Sequence, residues 1–436
     1  MLPYVKRSVH GLVYRIRQKN GIYLALALSA RGISALAMFL AIRRFAPNSF
    51  GEMAYFQATA LSAVAFSSFG LDISINSQLS RKRSEQADQG PTITAACLIA
   101  VVAMCMACTV IVTIFESQLN LSVDKGLATM GICVFASLLI SASAVNSIAF
   151  ASGSNVYVGF GYVANAIVFS LFAIFAKNSV SGTDLLFFQS LAQFIAIAIV
   201  IYALTRILSN WKKHGRGRHF GISLGETASE AKTLLQYGAK QILVVSVVTF
   251  SQWFIQRKIV FGEDGPSENA IYGVGNQIFN IITFLPTILG PLIVTKLASA
   301  GKNARARQDI CISSLKIFGG IALTACVLTF IGLHFGIGLL PKRYAACVET
   351  GTLASIAAAF QVLKAPFSLY FLSELRVSRE IASAVLGALF MIVATMLLTH
   401  VTPNLGTGVR LAGCAVQAAF LGVLFFIEFR RRQGAY

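Results

Sequence analysis

The chain has 436 residues, of which 56% are hydrophobic and 12% are charged, and its formal net charge at pH 7 is +19. Because about a quarter of the residues in a soluble domain are charged, this composition indicates a polytopic membrane protein. The basic residues lie in short loops between apolar stretches, as topology signals do, and not in a separate basic domain. The composition therefore argues against a nucleic-acid-binding protein.

Residues 1–21 are predicted to form an interfacial helix on the cytoplasmic surface. Between residues 4 and 17, valine, leucine and isoleucine recur on one helical face, and the Lys and Arg residues fall elsewhere. The apolar stretch that follows is about 20 residues long, which is longer than the core of a cleaved signal peptide. We therefore expect it to be retained as the first membrane span.

Twelve apolar stretches are long enough to cross a hydrocarbon core about 30 Å thick, which requires about 20 helical residues. They are predicted at residues 22–42, 52–72, 92–115, 127–150, 156–176, 185–207, 238–262, 268–296, 312–339, 349–372, 379–400 and 409–429. With the N-terminus in the cytoplasm, the cytoplasmic segments hold 24 Lys and Arg residues and the opposite loops hold eight. This bias predicts that both termini are cytoplasmic.

A basic cytoplasmic connector at residues 208–237 divides the spans into two sets of six. The predicted N-terminal lobe covers residues 22–207, the C-terminal lobe covers residues 238–429, and residues 430–436 form a basic cytoplasmic tail. Since six is even, both lobes enter the membrane in the same direction, as parallel repeats do. The predicted fold is therefore all-α, with twelve transmembrane helices in two six-helix lobes around a central polar cavity.

Apart from those counted with the flanking segments, four basic residues fall within the predicted spans: Arg31, Lys240, Arg257 and Lys364. A Lys or Arg at the centre of a lipid-facing helix costs about 2.5–3.5 kcal/mol on insertion scales. Lys240 and Arg257 are near span ends, so either could also snorkel to the membrane surface. Arg31 and Lys364 lie deeper, and no Asp or Glu at mid-depth is an obvious partner. We expect these cations to face the cavity and bind an anionic ligand, the alternative being a structural role.

Several amide side chains also fall within spans. The candidates for contact with sugar hydroxyls are Gln57, Asn146, Asn276, Gln277, Asn280 and Gln361. Amides are donors and acceptors at once, which suits sugar hydroxyls. For any single amide, a hydrogen bond between helices, worth about 0.6 kcal/mol, is the alternative. It is the number of amides, together with the cations, that indicates a sugar-bearing anion.

The sequence offers little evidence for catalysis or for a metal. The eight cysteines lie in or beside apolar segments, and the CxxC of Cys105 and Cys108 has no second pair or His cluster. There is no nucleophile–base pair and no phosphate-binding loop in the sequence. We therefore predict a transporter with no cofactor, and not an enzyme.

Two stretches resemble a known family. RRFAPNSFGEMAYFQATAL, which begins at Arg43, is similar to the helix–turn–helix at the start of bacterial Wzx-type oligosaccharide flippases, in the polysaccharide branch of the MOP superfamily. FIQRKIVFG and AIYGVGNQIFNIITFLPTILGPLI resemble the seventh and eighth helices of that family, and residues 341–344 resemble its turn before helix ten. Gln256 precedes Arg257 where the family often has an acidic residue, which leaves the coupling ion open.

The resemblance implies a flippase in the bacterial inner membrane. The expected substrate is a polyprenyl-pyrophosphate-linked oligosaccharide, moved to the periplasmic leaflet by alternating access for surface polysaccharide synthesis. Cations would hold the pyrophosphate, amides would hold sugar, and a proton gradient, a sodium gradient or the membrane potential would drive transport. Besides membrane lipids and the substrate, expected partners are a polysaccharide polymerase and a chain-length regulator.

Three other functions stay open. A multidrug exporter of the same superfamily usually needs intramembrane carboxylates, and none lies at mid-depth in the sequence. A flippase for the peptidoglycan lipid precursor typically has two further helices. A membrane enzyme that polymerises or ligates glycans tends to carry a large periplasmic loop, whereas the outer loops predicted for this chain are short.

Overall fold

A computed structural model describes residues 2–68, 70–84, 88–115, 124–176, 179–213, 224–299, 304–336, 344–373 and 377–433. In these ranges the regular elements are helices: thirteen α-helices and one π-helical segment, Ile111–Phe115. The α-helices are α1 (Leu2–Arg44), α2 (Pro47–Ser67), α3 (Leu71–Ser84), α4 (Gly90–Val110), α5 (Lys125–Ala151), α6 (Asn155–Phe175), α7 (Gly182–Lys213), α8 (Leu224–Val260), α9 (Gly265–Ser299), α10 (Ala304–Gly336), α11 (Cys347–Ser373), α12 (Val377–Leu397) and α13 (Pro403–Gln433).

Twelve of these helices coincide with the twelve predicted spans, and α3 is the additional one. In the part of the chain that the structure describes, nine helices are long and apolar enough to cross a membrane. The other three, α2, α8 and α9, coincide with predicted spans that carry many of the candidate polar residues. The chain is thus a multi-pass membrane protein.

The first helix is longer than the sequence predicted. The predicted interfacial helix and the first span form one continuous helix, α1, although the side chains of residues 2–20 lie outside the described part of the chain. The placement of residues 1–21 on the membrane surface therefore stays a prediction.

The second predicted span ends early. The backbone of Gly70 has a φ of 58°, a left-handed conformation that glycine adopts readily and that stops a helix. Consequently α2 ends at Ser67 and α3 begins at Leu71, within the range predicted for the span. Residues 52–72 are therefore not a single helix, and this prediction of the boundary was wrong.

The contacts between residues group the chain into two compact units. The first unit is Met1–Ala41, Ala63–Lys177 and Thr183–Ile242, and the second unit is Ile42–Ser62, Asn178–Gly182 and Leu243–Tyr436. The start of α2 thus packs with the second unit, and α8 contributes residues to both. The lobe limits 22–207 and 238–429 describe a membrane arrangement that these contacts do not test, and they stay a prediction.

In the first unit, α3, α4 and α5 pack closely because their facing residues are small. The fully buried residues there include Ala95, Ala96, Ala103, Ala107 and Ala136. The start of α8 joins the same group through Glu230, which forms an ion pair with Lys82 (2.8 Å) and accepts a hydrogen bond from Thr92 Oγ1 (3.0 Å). The predicted connector is therefore helical from Leu224 onward, and residues 214–223 lie outside the described residues.

In the second unit, α11 is the central helix and packs on α9, α10 and α13. One part of its core surrounds Phe279, Phe318 and Val362, and another surrounds Tyr370 and Phe425. Burying such side chains stabilises the fold by about 1.5–3 kcal/mol each in water, and close packing holds the same residues together where lipid is the solvent. The interior of this unit is therefore mostly apolar, and its few buried charges stand out.

Candidate functional site

The buried charge predicted at Lys364 has a carboxylate partner. Lys364 on α11 is 5% exposed, and its Nζ lies 3.0 Å from Glu380 Oε1 on α12. The same Nζ donates a hydrogen bond to Gln417 Oε1 on α13 (3.0 Å), and Ser368 Oγ donates to Glu380 Oε2 (2.7 Å). The expectation that Lys364 has no acidic partner was wrong. The first turn of α12, which carries Glu380, lies beside Lys364 on α11.

Glu380 was missed because it lies at the edge of the predicted eleventh span, where a carboxylate usually faces water. In the structure it is only 7% exposed. A buried ion pair is tolerated when further hydrogen bonds satisfy its remaining atoms, as Gln417 and Ser368 do here. The sequence does contain a signal for this pair. A Lys deep in one predicted span is followed, after a short loop, by an acidic residue in the first turn of the next helix.

This ion pair lies on the wall of a cavity of about 350 Å³ within the second unit. The residues that line the cavity belong to α9, α11 and α12. Its lining residues are Phe279, Thr283, Pro286, Gln361, Lys364, Ala365, Ser368, Leu369 and Glu380. Two predicted site residues, Gln361 and Lys364, are thus brought into one cavity together with Glu380.

A second buried cation lies next to this cavity. Arg410 on α13 is 3% exposed, donates a hydrogen bond from Nη1 to Asn276 Oδ1, and places its guanidinium carbon 3.6 Å from the ring centroid of Phe279. Since Phe279 also lines the cavity, Arg410 is in contact with one of the cavity walls. Arg410 was not among the predicted cations because it lies at the start of the predicted twelfth span, but α13 begins at Pro403 and carries Arg410 two turns into the helix.

Arg257 is held by aromatic rings. Its guanidinium carbon lies 5.9 Å from the ring centroid of Trp253 and 5.6 Å from that of Phe261, and the side chain is half-buried. Trp253 Nε1 in turn donates to Thr59 Oγ1 at 3.1 Å. A cation over aromatic rings is stabilised without a carboxylate, at about 0.5–2 kcal/mol for each ring. The second unit therefore fixes this arginine in place.

The remaining candidates lie in various environments. Arg31 on α1 is exposed and lies near Tyr23 and Tyr162. The side chain of Lys240 is outside the described residues. The amides Gln57, Asn146, Asn276 and Gln277 are half-buried, and Asn280 is exposed. Ligand binding by any of these residues stays a prediction, and Asn276 already has Arg410 as a partner.

Two further amides form a pair inside the first unit. Asn165 Nδ2 on α6 donates to Gln193 Oε1 on α7 at 2.8 Å. This is the arrangement in which amides join helices to each other, with no ligand involved.

Gly51, in the flippase-like stretch at the start of α2, has a packing role. Asn269 Nδ2 donates to the backbone carbonyl of Gly51 at 2.7 Å, and a Cβ added at Gly51 would lie 1.6 Å from the carbonyl oxygen of Pro266. Only glycine permits so close an approach of α2 to the start of α9. The neighbouring Glu52 is buried and accepts a hydrogen bond from the backbone of Gly182. Residues 341–343 of the other predicted turn lie outside the described residues.

The chain was compared with known proteins. No family model matches it, and no curated protein matches it. Solved structures do match. A multidrug-resistance MATE transporter of the MOP superfamily, in an inward-facing conformation, superposes with a TM-score of 0.69 at 13% identity over 95% of this chain and 98% of that one.

The chain has the fold of this transporter structure.

Two further structures agree with this. A eukaryotic MATE transporter has a TM-score of 0.64 at 15% identity over 94% of this chain and 95% of its own. A MOP-superfamily transporter from Pyrococcus furiosus has a TM-score of 0.65 at 13% identity over 96% of this chain and 95% of its own. The predicted all-helical class with two lobes of six helices is confirmed, and at these identities the likeness concerns the fold alone.

Proposed function

We propose that this protein is a flippase that moves a polyprenyl-pyrophosphate-linked oligosaccharide across a bacterial inner membrane for surface polysaccharide synthesis. The observation that carries the proposal is a buried cation, Arg410, next to the cavity of the second unit. Its guanidinium donates to the neutral amide of Asn276, whereas Lys364 and Glu380 neutralise each other. A site of this polarity favours an anionic substrate over a cationic drug.

The fold alone does not identify the substrate. For the Pyrococcus furiosus transporter with this fold, reverse polarity of the binding pocket suggests a different function. Pocket polarity, more than fold, is therefore the criterion to apply to this chain as well. The short motifs around Gly51 and Arg257, which are similar to those of oligosaccharide flippases, favour the same assignment.

In the proposed mechanism the protein binds the headgroup while the polyprenyl chain stays in the lipid. Arg31, Lys240 and Arg257 are the proposed contacts of the pyrophosphate, and the amides Gln57, Asn146, Gln277 and Asn280 are proposed contacts of the sugars. Each negative charge that moves outward gains about 2.3 kcal/mol per 100 mV of membrane potential. The potential can therefore drive the step without a separate ion site. In the proposed topology, both termini of the protein are in the cytoplasm.

A multidrug exporter is the second candidate, because the first solved structures that match are multidrug or other MATE transporters. Export of cationic drugs requires a carboxylate that the drug or a coupling cation can reach. Glu380 already binds Lys364, Gln417 orients that lysine, and Ser368 occupies the second carboxylate oxygen. A drug-export function that uses Glu380 therefore requires that this pair open during transport.

Reconstitution tests the two functions side by side. Purified protein in lipid vesicles is supplied with a fluorescent polyprenyl-pyrophosphate-linked oligosaccharide, and its arrival in the opposite leaflet is followed by accessibility to an external lectin. Cationic dye efflux is measured in the same preparation. We expect glycolipid flipping and no dye efflux, and dye efflux without flipping would replace the proposal by the exporter. A polysaccharide polymerase and a chain-length regulator are the proposed partners in the cell, which co-purification from membranes would test.

A further inference from the structure

The cavity in the second unit has a wall whose charges cancel. Lys364 and Glu380 lie 3.0 Å apart, so the pair presents no net charge to a ligand. Arg410 does not line the cavity but contacts Phe279, which does, and it donates a hydrogen bond to Asn276. A phosphate entering the cavity would therefore have to displace Glu380 from Lys364, and a cation would have to displace Lys364 from Glu380.

Although neutral overall, the pair keeps hydrogen-bonding capacity. An ammonium group has three donors, and Lys364 uses one toward Glu380 and one toward Gln417. A carboxylate has about four acceptor positions, and Glu380 uses two, for Lys364 and Ser368. One lysine donor and two carboxylate acceptor positions therefore lie beside the cavity.

The rest of the wall adds an amide and apolar surfaces. Gln361 is half-buried on α11, one helical turn from Lys364, and contributes two donors and an acceptor group. Phe279, Pro286 and Leu369 supply an aromatic ring and aliphatic carbon. A ligand that matches this wall has hydroxyl groups that both donate and accept, and C–H faces that pack on apolar carbon. Pyranose sugars combine these two properties.

We propose that this cavity is a binding subsite for one monosaccharide unit of the transported glycan. The sugar hydroxyls bind Gln361, Lys364 and Glu380, and the C–H face of the ring packs against the apolar wall. The volume of about 350 Å³ is at the lower end of the range for small-molecule sites, which suits one sugar unit and not a whole oligosaccharide. The proposal rests on the flippase function and reassigns Lys364 from pyrophosphate to sugar.

Direct binding of monosaccharides to the purified full-length protein tests the subsite. The probes are methyl glycosides of hexoses, N-acetylhexosamines, 6-deoxyhexoses and hexuronates, measured by saturation-transfer NMR in detergent. We expect at least one to bind with a Kd in the millimolar range and Gln361→Leu to weaken it about fivefold, the effect of one lost hydrogen bond. Gln193→Leu, which removes an amide from α7 in the first unit, is the matched control and should leave the Kd unchanged.

Two results would overturn the subsite. One is the absence of binding by every glycoside, or binding that Gln361→Leu and Gln361→Asn leave unchanged. Gln361→Asn keeps the amide but shortens it, and serves if the leucine variant does not fold. The other is competition by inorganic pyrophosphate, which would make the cavity a phosphate site. Flipping in vesicles is measured separately, so that sugar binding without flipping would refute the flippase function and would show only that the cavity binds sugar.

Discussion

Lys364 and Glu380 belong to neighbouring helices, α11 and α12, and form a buried ion pair with Nζ and Oε1 3.0 Å apart. Both side chains are more than nine-tenths buried. Each charge depends on the other, since an unpaired charge in a medium of low polarity costs several kcal/mol. A change that breaks the pair therefore affects both the packing of α12 on α11 and the polar groups that line the cavity.

Breaking this pair from one side should be more harmful than removing it. We expect Lys364→Met alone to lower the free energy of unfolding by about 3–5 kcal/mol, because Glu380 is left buried and unpaired. The double variant Lys364→Met/Glu380→Leu should recover most of that loss. Thermal unfolding in detergent, followed by intrinsic fluorescence, measures both.

The matched control is the ion pair between Arg379 and Glu428, which is more exposed than the first. Arg379→Met should cost about 1 kcal/mol or less, as for most partly exposed pairs. Equal losses for Lys364→Met and Arg379→Met, with no recovery in the double variant, would mean that burial does not couple Lys364 to Glu380.

Gly51 should tolerate no side chain. Gly51→Ala places a Cβ 1.6 Å from the carbonyl oxygen of Pro266, and this backbone can move only if α2 and α9 separate. We expect a loss of about 3 kcal/mol or more in the free energy of unfolding, at the upper end for an overpacked site. Gly32→Ala on α1, where no atom lies within 4 Å of the added carbon, should be neutral or stabilising by up to about 1 kcal/mol. The proposed packing fails if the two variants unfold alike.

Reversing the charge at Arg31 should stop transport without preventing insertion. Arg31→Glu replaces a proposed contact of the pyrophosphate by a charge that repels it, so surface glycan in a complemented deletion strain should fall at least tenfold, the effect of about 1.4 kcal/mol. Lys316→Glu reverses an exposed cation on α10 and is the control. Wild-type glycan levels in Arg31→Glu, with the protein present in the membrane, would remove Arg31 from the mechanism.

The membrane potential should change the distribution of substrate between leaflets. If one net negative charge crosses, a potential of 100 mV contributes about 2.3 kcal/mol, which is roughly a fiftyfold change in the leaflet ratio. Potassium gradients with valinomycin set the potential in vesicles, and the lectin assay reads the ratio. A ratio that is the same at every imposed potential would show that the moving complex is electroneutral.

Drug export and glycolipid flipping make different demands on Glu380. Glu380→Gln keeps a hydrogen bond to Lys364 but removes the carboxylate, so a cation exporter that uses Glu380 should lose activity by at least a hundredfold, the rate equivalent of about 2.7 kcal/mol. A flippase, for which Glu380 is one of three proposed sugar contacts, should lose only about fivefold, the effect of one weakened hydrogen bond. Flipping and dye efflux measured on the same vesicles distinguish the two results.

The sequence alone was sufficient for the helices because their cause is local. An apolar run of about 20 residues must form a helix across a membrane, since every backbone polar group has to be satisfied within the segment. Each of the twelve predicted spans accordingly overlaps a helix. The boundary at Gly70 was missed because a positive φ at one glycine, and not a change in hydrophobicity, ends α2 there.

The candidate site was only partly predictable, because its contacts join residues far apart in the chain. The sequence identified Lys364 and Gln361 as unusual within a span, and the structure places both in one cavity. Glu380 and Arg410 lie at the ends of predicted spans, next to loops, and were not predicted as site residues. Composition and hydrophobic pattern therefore determined that this is an all-helical membrane protein with buried cations. Only the packing of α9, α11, α12 and α13 decided which charges neutralise each other, because that depends on which helix faces meet.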